Sequence, residues 1–197
     1  MTSILLSVAF LALVGWSGAT TPFILDACSG AKPGIPADIA AQRGAALAYG
    51  NEYRRRHGAK PLTVDPTLEA EAQKRAEYMA STRIFSHGAY SGDNWARIPC
   101  DNGVKQVFPT EPTIPGAVYR WTLEVPFRCR NPAENQSIFV GDSIPGFSRM
   151  VWKASEKVGY GASVTTDGHI IVVARYSPLA DKDPAAAMEN MQCERIP

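Results

Sequence analysis

"VGYGASVTTDGHIIVVARYS", residues 158–177, decides the fold. Two apolar runs flank "TTDG", where Asp167-Gly168 supplies a hairpin turn. Along the second run Val172 and Ala174 alternate with Val173 and Arg175, the period-two pattern of a strand. His169 stands at the start of that strand. Everything upstream with a clear period is helical, so helices come first and a hairpin follows. That order indicates an α+β layered fold.

The clearest helix lies in "DPTLEAEAQKRAEYMAST", with Asp65 as N-cap and Pro66 in the first turn. Leu68, Ala72, Ala76 and Met79 form one apolar stripe, rich enough in alanine to let the helix approach a neighbour closely. An earlier helix runs from an Asp38 cap towards Gly58, with Leu47, Gly50 and Arg54 at helical spacing. "RRRH" at 54–57 reads as its solvated, cationic end. "AVYRWTLEV" is a weaker helix candidate, because Val118, Thr122 and Val125 are β-branched. Residues 97–119 read as an irregular, proline-rich loop, with Pro109, Pro112 and Pro115 at the polyproline II period. Trp152 falls in a run of buried-type residues, and Asn94 is expected to bond backbone within its turn.

The chain has 197 residues, enough for one domain with a sizeable core. A net charge of +1 gives no electrostatic footprint for nucleic acid or an anionic membrane. "ILLSVAFLALVGW" is apolar but short for a membrane span, and Ser17-Gly18-Ala19 suits a signal peptidase. Residues 1–19 are therefore expected to be a signal peptide, 20–37 an extended lead-in, and 38–197 the folded domain. The expectation is a secreted, extracellular protein without a stable membrane anchor. Four cysteines agree with an oxidising compartment. Of the three pairings, Cys100–Cys129 with Cys28–Cys193 is favoured: the first would close the proline-rich segment, worth roughly 3–4 kcal/mol in the chain-entropy model. Asn135 begins an N-glycosylation sequon.

Four ordered motifs carry a family resemblance: "GNEYRRRHGAKPLTVDPTLEAEAQKRAEYMA", "FSHGAYSGDNWA", "GFSRMVWKASEKVGYG" and "IIVVARYSP". Together they resemble the CAP superfamily of cysteine-rich secretory, antigen 5 and pathogenesis-related proteins, and among them the Golgi-associated, pathogenesis-related type. The resemblance implies a three-layer α-β-α sandwich with a central antiparallel sheet. It also implies a cleft holding two histidines and two acids, which in several members binds zinc. Residue by residue, His87 matches the first histidine, Asp93 stands where the family has glutamate, and Glu124 matches the second glutamate. Gly146 occupies the place of the second histidine.

The cleft is thus expected to be degenerate. Zinc sites use three or more protein ligands, and replacing glutamate by Asp93 retracts the carboxylate by about 1.5 Å. His57, at a helix end, and His169 are poor substitutes for the missing imidazole. No cofactor and no tight metal site are expected, only weak binding at best through His87. The plainer reading of His87, Asp93 and Glu124 is a hydrogen-bonded polar network in the cleft wall. There is no G-x-S-x-G and no reactive-cysteine context, so the expectation is a protein that is not an enzyme. The resemblance instead implies a binding module. Its ligand would be a sterol or other lipid held by the loop residues Val104, Val107, Phe108, Ile114 and Tyr119, or an extracellular protein receptor.

Overall fold

A computed structural model describes residues 33–86, 92–100, 113–124, 146–180, 186 and 189–191. In chain order its elements are α1 (Ile39–Arg56), β1 (Thr63–Val64), α2 (Pro66–Thr82), β2 (Asn94–Pro99), α3 (Ile114–Thr122), α4 (Gly146–Val151), β3 (Lys157–Val164) and β4 (His169–Ser177). One sheet orders them β1-β3-β4-β2. The β3–β4 and β2–β4 pairs are antiparallel, whereas the two-residue β1 joins β3 in parallel. The sheet is therefore mixed, with the expected antiparallel hairpin at its centre.

Alternation along the strands produces two buried faces. On one, Tyr160 lies opposite Ala174, Ala162 opposite Val172, and Ala96 opposite Val172 from the other side. This face packs with Ala46, Val118, Trp121, Phe147 and Met150 from α1, α3 and α4. On the other, Ile171 and Val173 meet Ala72, Ala76 and Met79 of α2. Helices thus cover both sides of the sheet, an α-β-α sandwich.

The α2 layer sits unusually close. A Cβ on Gly159 would fall 2.1 Å from Glu69 N, and one on Gly161 would fall 2.4 Å from Ala72 C. The strand can pass under the helix only because both positions lack a side chain. Asp65 caps α2 as its sequence implies, accepting from the Thr67 and Leu68 N–H groups at 2.8 and 3.0 Å. Gly168, at φ 73°, makes the β3–β4 turn.

Three expectations need correction. The segment 97–119 is not wholly a loop: β2 runs through Pro99, and α3 begins at Ile114. Pro115 lies in the first turn of α3, where an N–H is not needed, and Thr113 caps that turn by accepting from Gly116 N–H. The end of α1 is not simply solvated. Arg55 and Arg56 are exposed and pair with Glu52, but Arg54 and His57 are buried. Asn94 reaches across to α4 rather than bonding within its own turn, donating to Gly146 O at 2.7 Å. Trp152 is buried as expected.

Arg54 does much to position α4. Its guanidinium donates to the carbonyls of Lys60, Met150, Trp152 and Ser155 at 2.7–2.9 Å. These bonds join the end of α1 to the last turn of α4 and the chain beyond it. Burial lowers its pKa to about 10, so it remains charged at neutral pH.

Candidate functional site

Asn94 and Glu124 meet the start of α4 at Gly146 and Phe147, and the Asp93 carbonyl meets Arg149 further along the same helix. Asn94, next to Asp93 at the start of β2, fixes the Gly146 carbonyl. Glu124 follows α3, and its Oε2 accepts the Phe147 N–H at 3.0 Å. A carboxylate at this position satisfies a backbone donor that α4 itself leaves unpaired. The Phe147 ring packs edge-on against His57, with centroids 5.0 Å apart, so α1, α3 and α4 share one packed junction.

Asp93 is buried beside Arg175 of β4, whose Nε lies 2.9 Å from Oδ1. The contact is an ion pair. Burial pushes the Asp93 carboxyl above its ordinary pKa, while Arg175, Arg75 and Arg149 pull it down. Arg149, on α4, is buried too. It donates through Nη1 to Asp93 O at 3.1 Å and to Asn94 Oδ1 at 3.3 Å. Burial lowers its pKa, and Tyr176, Asp93 and Glu124 act in the opposite direction.

Gly146 departs from a simple loss of a ligand. A Cβ there would lie 2.7 Å from Trp121 Cδ1 and 2.9 Å from Cγ, so the indole already fills the space. The described residues do not fit a divalent cation. Glu124 is engaged by a backbone amide, Asp93 by Arg175, and a buried arginine lies electrostatically close to both. No group of three or more metal-ligating side chains occurs among the described residues. His169 lies at the β3–β4 turn beside Asp167 and Arg97, away from this junction.

Several expected residues lie outside the described segments: His87, Val104, Val107, Phe108, Cys129, Cys28, Cys193 and Asn135. Cys100 is disulfide-bonded, and its proposed partner falls outside them as well. Of the lipid-loop candidates, Ile114 is fully buried in the core and is not available as a gripping surface. Tyr119 is half-buried, 6.3 Å from the Tyr49 ring, which in turn lies 5.2 Å from Tyr53. No described helix is long and apolar enough to cross a membrane.

Sequence reasoning did not single out Arg149, Arg175 or Trp121. Arg149 carries a recognisable signal, a lone cation inside the apolar run "GFSRMVW". Nor did it single out a second surface. Phe85 stacks on Trp95, with centroids 6.2 Å apart, and Arg97 lies 5.2 Å over the Phe85 ring. Arg75 lies 5.6 Å from the centre of the exposed Tyr78 ring and donates to Ser86 O. Ile84, which precedes Phe85, is exposed.

The layered fold and the polar junction at α4 define a CAP-type domain. The chain belongs to the CAP family: the family model for the cysteine-rich secretory protein family matches residues 47–176. It is 36% identical to human (Homo sapiens) Golgi-associated plant pathogenesis-related protein 1 over 133 residues, 65% of this chain and 77% of that protein. Among solved structures, Schistosoma mansoni venom allergen-like protein 4 shares the fold, with a TM-score of 0.51 and 21% identity, covering 72% of this chain and 91% of that one.

Proposed function

We propose that this CAP-domain protein is a secreted, non-enzymatic binding module that recognises a protein partner. The observation that carries the reading is the engagement of the cleft acids: Glu124 holds the Phe147 amide and Asp93 is paired with Arg175. Neither is left as a general base beside a nucleophile. The disulfide at Cys100 supports passage through an oxidising compartment. The face formed by Arg75, Tyr78, Phe85, Trp95 and Arg97 supports a protein partner, because Trp, Tyr and Arg dominate binding energy at protein interfaces.

Sterol or lipid carriage is the second reading. It rests on the half-buried rings of Tyr49, Tyr53 and Tyr119, since Ile114 belongs to the core.

The test uses the oxidised protein on intact eukaryotic cells. Saturable, trypsin-sensitive binding that is lost in Tyr78→Ala/Arg97→Glu is the expected result. Saturable cholesterol binding unaffected by that pair would transfer the assignment to lipid carriage. Peptide or ester hydrolysis abolished by Glu124→Gln would refute the non-enzymatic reading outright.

A further inference from the structure

We infer that the cavity between the α1–β1 connection and the segment joining α4 to β3 is a binding site for a phosphate-bearing ligand. It holds about 490 Å³, within the roughly 300–1,000 Å³ of small-molecule sites. Lys60 and Thr63 line one side, and Lys153, Ser155, Glu156 and Lys157 line the other. Three lysines against one glutamate leave a surplus of two positive charges. Among the described residues none of the three lysines pairs with a carboxylate.

A site for an anion must also withhold its acceptors, and the carbonyls of this wall are engaged elsewhere. Lys60 O and Ser155 O accept from the buried Arg54 at 2.7 and 2.8 Å, and Glu156 O accepts the Thr63 N–H at 3.0 Å. The Arg54 guanidinium thus joins both sides of the cavity from the protein interior. It is bound to carbonyls, with no carboxylate paired to it among the described residues, so its charge adds to that of the lysines. Lys157 Nζ bridges β3 to β1 by donating to Thr63 Oγ1 at 2.9 Å. That hydroxyl, having accepted, keeps its own hydrogen to donate to an anion. Lysine binds phosphate as a point charge on a flexible stem, so Lys60 and Lys153 can close on a ligand without a preset geometry. The site shares no residue with the aromatic, cationic face assigned to a protein partner, so either assignment can fail without the other.

The experiment is an amide NMR titration of the oxidised protein with inorganic pyrophosphate, paired with co-flotation on phosphatidylcholine vesicles with and without phosphatidic acid. Saturable shifts centred on Gly58, Lys60, Lys153 and Ala154 are expected. Lys60→Gln/Lys153→Gln should raise Kd about 10-fold, the scale of two exposed charge contacts. Glu156→Gln removes the one like charge and should lower Kd about 3-fold. Loss of structure cannot produce changes in both directions. Flotation that needs phosphatidic acid and the same two lysines assigns the phosphate to a lipid headgroup. Pyrophosphate binding without flotation assigns a soluble phosphate ester. Absence of both, or binding whose affinity neither variant changes, overturns the inference.

Discussion

Replacing Arg54 by methionine tests whether a buried guanidinium organises α4. The stem is preserved, while the donors to Lys60, Met150, Trp152 and Ser155 carbonyls are removed. The bonds to Met150, Trp152 and Ser155 are buried; the Met150 and Ser155 carbonyls, left without this donor, cost about 1–3 kcal/mol each, and the Trp152 carbonyl, which still accepts from the Ser155 N–H, loses about 1 kcal/mol, or ~5 kcal/mol for the set. Lys60 is exposed and its bond to Arg54 only part-buried, so water can replace the donor to its carbonyl. Removing the cation also removes its desolvation penalty. The fall of the Arg54 pKa from 12.5 to about 10 puts that penalty at roughly 3 kcal/mol. The net loss is then ~2 kcal/mol, a Tm drop of about 4–8 °C. Urea denaturation and calorimetry at pH 7 would measure it. Because the bonds hold the chain on both sides of Val151, the Asn94–Gly146 contact should loosen as well, visible as faster amide exchange in α4. A loss below ~1 kcal/mol, with α4 exchange unchanged, would refute the reasoning.

Gly161→Ala should destabilise by about 1–3 kcal/mol or more, because its Cβ would fall 2.4–2.5 Å from α2 backbone atoms; a chemical-denaturation midpoint equal to wild type would contradict the close approach. Gly146→His should likewise lose about 1–3 kcal/mol against Trp121 and gain no zinc affinity by isothermal titration, whereas a micromolar site would show that the indole yields readily. Acid stability should depend on two exposed carboxylates. Arg55 and Arg56 hold Glu52 at about 2, below its ordinary 4.5, and the Thr165 hydroxyl leads the causes holding Asp167 at about 2, below 3.8. Their folded pKa values are depressed, so the stabilisation is complete above about pH 5 and disappears as pH falls towards 2. Tm measured across that window should fall less steeply in Glu52→Gln/Asp167→Asn than in the wild type.

The parts of the fold legible in the sequence are those where local chemistry and tertiary structure agree. Asp65-Pro66 sets the start of α2, and Asp167-Gly168 turns the hairpin, without help from distant residues. β1 and β2 were hidden for different reasons. β1 has two residues and no period, while the outer face of β2 carries Trp95, Arg97 and Pro99, which read as loop. The start of α3 was obscured by Pro115, a residue that breaks helices inside but suits their first turn. In "RRRH" a run of charges reads as one solvated unit, yet helical geometry turns Arg54 inward with Ala46 and Gly50. The site was half legible by the same measure. Motif order could bring Asp93, Glu124 and Gly146 to notice, but the contribution of Arg149 and Trp121 depends on contacts between elements far apart in the chain.

The bare glycines beneath α2 also bear on how the molecule assembles. At Gly159 and Gly161 the helix rests on backbone rather than on interlocking side chains, so a misaligned approach gains little. β3 follows α2 only after a long intervening stretch, and closing that separation costs chain entropy before any contact forms. The local β3–β4 hairpin carries no such delay. The α2 layer is therefore expected to dock late in folding and to detach early in unfolding. Ala76→Gly should then raise the unfolding rate more than it lowers the folding rate; a dominant effect on folding would place α2 in the nucleus instead.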